Sequence, residues 1–135
     1  MTEQNIKDFL TKNTALTKEK IEDYVNLEEL YLHDITDIRP LKKLGNLKWL
    51  YLQCNEITDL TPLQELVNLE WLESQHDKIT DLKPLKGLVS LKWLVLRNNN
   101  ITDTTPLKGL VNLERLKVNG ITYNNKDVIQ QFLNK

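Results

Sequence analysis

NLKWLYLQCNEITDLTPLQELV (residues 46–67), NLEWLESQHDKITDLKPLKGLV (68–89) and SLKWLVLRNNNITDTTPLKGLV (90–111) follow one another in this chain and align without a gap. Self-similarity at a fixed short period marks an architecture made by stacking one unit on the next. Ahead of them, NLEELYLHDITDIRPLKKLG (26–45) is the same unit, shortened by two residues in the turn after its strand. Behind them, NLERLKVNGIT (112–122) begins a fifth copy and then leaves the pattern.

The spacing inside the unit gives its physics. Leu-x-x-Leu-x-Leu ends in strict alternation, which makes a short strand with one face buried. Asn55 and Asn99 follow their strands where the chain turns inward, and an amide there can donate to and accept from the backbone of neighbouring turns. Ile57, Ile79 and Ile101 then re-enter the core, and the Thr and Asp after each suit the capping of a short turn. Pro62, Pro84 and Pro106 sit where a short helical turn begins, a position that tolerates a missing N–H. Leu63 and Leu66, with their equivalents, form the inner face of that return leg. No unit closes its own core, so each needs a neighbour on both sides.

The pattern L-x-x-L-x-L-x-x-N-x-I-T-D-L-x-P-L-x-x-L-x-N resembles the 22-residue leucine-rich repeat of bacterial internalins and related short-unit proteins, over residues 26–122. The resemblance implies an α/β repeat solenoid: a right-handed superhelix with a parallel concave β-sheet, short 3₁₀ turns on the convex face and helical caps. It also implies recognition of a protein partner through the concave residues. It does not extend to export or surface-attachment segments.

The ends read as lids on an open core. Thr2 to Lys12 places Ile6, Phe9 and Leu10 on one helical face with Thr2 as N-cap. Lys18 to Val25 reads as a second short helix, with Ile21 and Tyr24 in register with Leu63 and Leu66. Asp127 to Leu133 turns Val128, Ile129, Phe132 and Leu133 inward. The expected organisation is one domain over 1–135: a helical cap (1–25), four repeats (26–111), and a partial repeat with a capping helix (112–135).

Charge is balanced, 18 basic against 19 acidic residues, so no global field recruits nucleic acid or an anionic membrane. No apolar run is long enough to span a bilayer. The polar, acidic start lacks the pattern of a signal peptide, and the single Cys54 forms no internal disulfide. A cytoplasmic protein is the expectation.

Between the core leucines the side chains point outward, and equivalent positions form columns about 4.8 Å apart. One column reads Glu29, Trp49, Trp71, Trp93, Arg115; the next reads Tyr31, Tyr51, Glu73, Val95, Lys117; the third reads His33, Gln53, Gln75, Arg97, Asn119. Three exposed tryptophans side by side approach the size of a typical monomer's largest apolar patch, ~300–600 Å². Trp, Tyr and Arg are also the residues enriched at binding hot spots. The expected contact set is Tyr31, Trp49, Tyr51, Trp71, Glu73, Trp93, Val95, Arg97, Arg115 and Lys117. The plainer alternative is a ring ladder that only stabilises the sheet. A second functional alternative is glycan binding, since flat rings also stack on sugars. A monomer is expected, with dimerisation through the same face as its rival.

The column Glu28, Lys48, Glu70, Lys92, Glu114 alternates in sign and reads as an inter-repeat ion-pair ladder, weak per pair. Repeat 68–89 departs twice: Ser74 takes a core leucine position and Asp77 replaces the ladder Asn. A buried hydroxyl without a partner costs about 1–3 kcal/mol, so this repeat is expected to be locally weaker. The column Asp34, Cys54, His76, Asn98 holds the inventory of a cysteine-nucleophile site, but on a rim with nothing to supply an oxyanion hole. His33, Cys54 and His76 match no zinc spacing, and only four glycines are present, with no phosphate loop. The expectation is therefore a binding module with no catalytic or metal residues and no cofactor.

Overall fold

The computed structural model describes residues 2–53, 56–75, 78–97 and 100–135. Five strands stack in chain order as a parallel sheet: β1 (Glu29–His33), β2 (Trp49–Gln53), β3 (Trp71–Gln75), β4 (Trp93–Arg97) and β5 (Arg115–Val118). Register is level throughout, so Leu30, Leu50, Leu72, Leu94 and Leu116 lie in one row. That row is buried, as are the re-entering Ile57 and Ile79 and the return-leg Leu63 and Leu66.

Each return leg is a 3₁₀ turn beginning with or containing a proline: Arg39–Lys43, Thr61–Leu63, Lys83–Leu85 and Thr105–Leu107. The aspartate two residues before each turn's first residue caps it. Asp37, Asp59, Asp81 and Asp103 accept the N–H of Arg39, Thr61, Lys83 and Thr105 at 2.8–3.0 Å. This is the Asx-turn geometry expected of Ile-Thr-Asp.

A second polar device joins whole units. The amides of Asn46, Asn68 and Asn112, each at the first position of a repeat, donate to the carbonyls of Val25, Gly45 and Val89 at 2.7–3.0 Å. The turn-facing Asn55 and Asn99, and Asp77, lie outside the described residues. Among the described residues, the two-way pairing expected of Asn55 and Asn99 is made by Asn119. Its Nδ2 donates to the Ile101 carbonyl at 2.6 Å and its Oδ1 accepts the Ile101 N–H at 3.3 Å.

Asn119 therefore does not belong to the outward column in which the periodicity places it. With Gly120 it forms a turn in which both φ values are positive, 50° and 80°. This is the two-residue hairpin geometry that Asn-Gly favours. The turn reverses the chain into β6 (Ile121–Tyr123), which pairs antiparallel with β5 and ends the purely parallel sheet.

The caps follow the sequence with two corrections. α1 (Glu3–Asn13) starts at Thr2 in a capping box with Asn5 and buries Ile6 and Leu10. α2 (Lys18–Glu22) is shorter than Lys18 to Val25, because the chain tightens into a 3₁₀ turn at Tyr24–Asn26; Ile21 is buried as expected. α3 (Lys126–Leu133) buries Ile129 and Leu133, and Phe132 stacks on Tyr123 at 4.5 Å. Val128, expected to face inward, is 45% exposed. It lies at the margin of the buried stripe of Ile129 and Leu133. Ser74 is fully buried and is not left without a partner, so the expected penalty of an orphaned hydroxyl does not arise.

The Asp59 and Asp103 carboxyls are held below the ordinary carboxylate range, first by the hydroxyls of Thr61 and Thr105 and then by their N–H groups. Groups lowered in this way stabilise the fold above their unfolded pKa, about 4, and lose that contribution as pH falls through the lower folded value. The urea midpoint should therefore drop on acidification below about pH 4. Asp59→Asn/Asp103→Asn, which keeps the acceptor oxygen but cannot titrate, should show a shallower drop; an unchanged slope would count against this account.

Candidate functional site: the concave aromatic face

Alternation along each strand turns the residues between the leucines onto one open face. The level register carries Trp49, Trp71 and Trp93 side by side, followed by Arg115. The ring contacts, however, do not follow that column from its start. Tyr31 stacks on Tyr51 at 4.3 Å with 4° between planes, and Tyr51 approaches Trp71 at 6.1 Å, tilted by 44°. Trp71 stacks on Trp93 at 4.1 Å and 10°, and the Arg115 guanidinium lies 4.7 Å from the Trp93 ring.

The contact run is thus diagonal. It begins in the second column and crosses to the first between β2 and β3. The strand opposite Tyr51 presents Glu73, and Trp71 is the diagonal neighbour two residues away, within reach of a large ring. Trp49 is left out of the stack. The Lys48 ammonium lies 5.9 Å from its ring, and Trp49 borders a groove toward the N-terminal cap.

Packing among neighbours changes two expectations. All three tryptophans are half-buried rather than exposed, Trp71 and Trp93 in part because each covers a face of the other. Val95 is 2% exposed and offers no surface to a partner, which removes it from the contact set. It lies between Glu73 and Lys117 across the sheet. The other expected residues stay on the face: Tyr51, Trp49, Trp71, Trp93, Glu73, Arg97, Arg115 and Lys117 are half-buried, and Tyr31 is 53% exposed.

The polar groups around the stack are largely committed. Gln75 donates to the Glu73 carboxylate, and the Tyr31 hydroxyl donates to Glu29 Oε1 at 2.8 Å. Two donors, Trp71 Nε1 and Arg115 Nε, are shielded from solvent with no acceptor among the described residues. Such burial costs about 1–3 kcal/mol per group, so ring contact rather than hydrogen bonding holds this layer together. In the charge column, Lys48 pairs with Glu28 at 3.2 Å and Lys92 with Glu70 at 4.0 Å, all substantially exposed. Within the described residues the expected ladder thus closes at alternate steps.

Cys54, His76 and Asn98 lie outside the described residues. Among those described, no group of three or more His, Cys, Asp or Glu side chains gathers as a metal site would.

With this geometry in place, likeness to known proteins is specific. A family profile described as Leucine Rich repeats (2 copies) matches residues 25–65. Internalin C2 of Listeria monocytogenes is 43% identical over 66% of this chain and superposes with a TM-score of 0.64. The chain is built of internalin-like leucine-rich repeats. A second internalin of that organism, inlF, is 38% identical over 68% of the chain, with a TM-score of 0.65. The chain spans 40% of the first internalin structure and 27% of the second. A PEPR1–AtPEP1 crystal structure, 19% identical over 76% of this chain and 15% of that one, shares the fold at a TM-score of 0.56. No curated protein sequence matches.

The Tyr31–Glu29 hydrogen bond has a measurable consequence. Accepting the hydroxyl proton, the carboxylate pushes the Tyr31 phenol up to about 12, with lesser contributions from burial and Tyr51. A raised phenol stabilises the fold below its unfolded value of about 10 and loses that contribution as pH climbs through the folded one. Phenolate absorbance should show one tyrosine ionising near pH 12, and Glu29→Gln should return it toward about 10. An unmoved titration in the variant would show that the bond does not govern the phenol.

Proposed function

We propose that the internalin-like face is a protein-docking surface, with the Tyr31–Tyr51–Trp71–Trp93–Arg115 run at its centre. The observation that carries this is the run itself: five side chains from five consecutive strands form one continuous aromatic and cationic strip on the open side of the sheet. Trp, Tyr and Arg dominate hot spots because each combines large apolar area with a polar handle. Stacking also fixes their rotamers beforehand, so little side-chain entropy remains to be lost on binding. Glu73, Arg97 and Lys117 border the strip with both signs of charge, which supports orientation and selectivity.

Stacking also favours protein over sugar as the ligand. A sugar needs the open face of a ring, whereas Trp71 and Trp93 each have one face covered by the other. A leucine-rich-repeat frame is generally a binding scaffold rather than an enzyme. The Listeria neighbours support a bacterial setting. An inhibitor or adaptor role would suit such a docking face.

Trp71 is the junction of the run, so its loss should disconnect the two halves. With a partner recovered from lysate and purified, Trp71→Ala should weaken binding by about 2 kcal/mol or more, roughly thirtyfold. Binding that survives in a folded variant would refute the concave-face reading. Tryptophan fluorescence that responds to a glycan array and to no protein would favour the sugar alternative. Light scattering of the chain alone would reveal self-association through the strip.

A further inference from the structure

β1 ends the sheet on the side of the N-terminal cap. The Glu28 carbonyl, just ahead of it, accepts the Lys48 and Trp49 N–H groups on the β2 side. Alternation along the strand therefore turns the backbone of Glu29, Tyr31 and His33 toward the opposite, outer edge. Among the described residues no backbone group outside the sheet is bonded to that edge. The cap covers the core through Ile6, Leu10 and Ile21 but leaves the strand itself open.

A groove of about 770 Å³ runs between this edge and the cap. Thr14, Leu16 and Glu19 line it on the cap side, and Glu28, Tyr31 and Trp49 on the sheet side. Its volume falls in the ~300–1,000 Å³ range of ligand sites. Glu19, Asp23, Glu28 and Glu29 contribute acid to the lining, against Lys20 alone. Trp49, the tryptophan that the stack omits, borders this groove.

We propose that the groove is a strand-addition site that takes an extended, basic segment of a partner protein along β1. Unpaired edge groups supply main-chain hydrogen bonds to such a segment, and pockets for alternate side chains supply selectivity. Alternate residues of the added strand lean on the rings of Tyr31 and Trp49, and basic side chains reach the Glu19 and Asp23 carboxylates and compete with Lys48 for that of Glu28. A second copy of this chain pairing edge to edge would set Glu28 and Glu29 against like charges, which is destabilising. The acidic lining likewise repels nucleic acid. This site does not depend on the aromatic strip acting as a docking surface.

The test uses the whole chain and a capped seven-residue peptide of alternating lysine and valine, followed by nuclear magnetic resonance. Binding should slow hydrogen exchange at the Glu29 and Tyr31 amides by about tenfold or more at saturation while leaving the Trp93 indole signal in place. An alternating glutamate–valine peptide, and a lysine–valine peptide N-methylated along its pairing edge, should each bind at least ~10-fold more weakly. Glu19→Lys/Glu28→Gln should weaken the basic peptide by a similar factor, and Trp71→Ala should leave it unchanged, which separates this site from the strip. Equal binding of the N-methylated peptide, protection confined to other strands, or no binding to the wild-type chain would each overturn the proposal.

Discussion

Everything in this molecule depends on a core that no single unit can close. The strand leucines and the return-leg leucines of one repeat form a flat apolar slab, and that slab is buried only when another lies against it. The consequence is strict. Units must stack at one spacing and in one register, because a slip by one residue would turn every leucine outward. The polar devices then reinforce a geometry that burial has already chosen. Asp37, Asp59, Asp81 and Asp103 fix the turn within a unit, and Asn46, Asn68 and Asn112 tie each unit to the one before.

The outward face inherits this order without contributing much to it. Since register is set from beneath, residues such as Trp71 and Trp93 are delivered at stacking distance whatever their own preferences. A continuous aromatic strip on water would be a hazard on a mobile surface. On a level sheet each ring shields its neighbour, and the strip keeps a definite shape. Rigid side chains on a rigid frame are what a recognition surface needs.

The fold was legible because its cause is periodic. The unit boundaries, the leucine rows, the Asp-capped turns and the Thr2 cap all follow from residue type and spacing. Four features were missed, for different physical reasons. Columns place Cα atoms but not ring directions, so the crossing from Tyr51 to Trp71 depends on how side chains lean, and Trp49 falls out of the run. Val95 is buried on a face where alternation alone would leave it open, and a column of single letters does not weigh what packs around it. The β5–β6 hairpin did carry a local signal, Asn119-Gly120 after an alternating strand, but reading the fifth copy in repeat register passed over it. The open edge of β1 is a matter of tertiary placement: helices that read as a lid for the core need not cover the strand beside it.

The diagonal run bears on how this chain can lengthen or shorten without losing its surface. Trp93 holds in its unit the position that Trp71 holds in the unit before. Excising the segment 68–89 would bring Trp93 beside Tyr51 and leave Arg115 on the far side of it. The strip would lose one ring and heal. Inserting another copy would extend it by one. The reach of the surface is therefore adjustable in whole steps, each adding one ring, while both lids and every joint between units stay as they are.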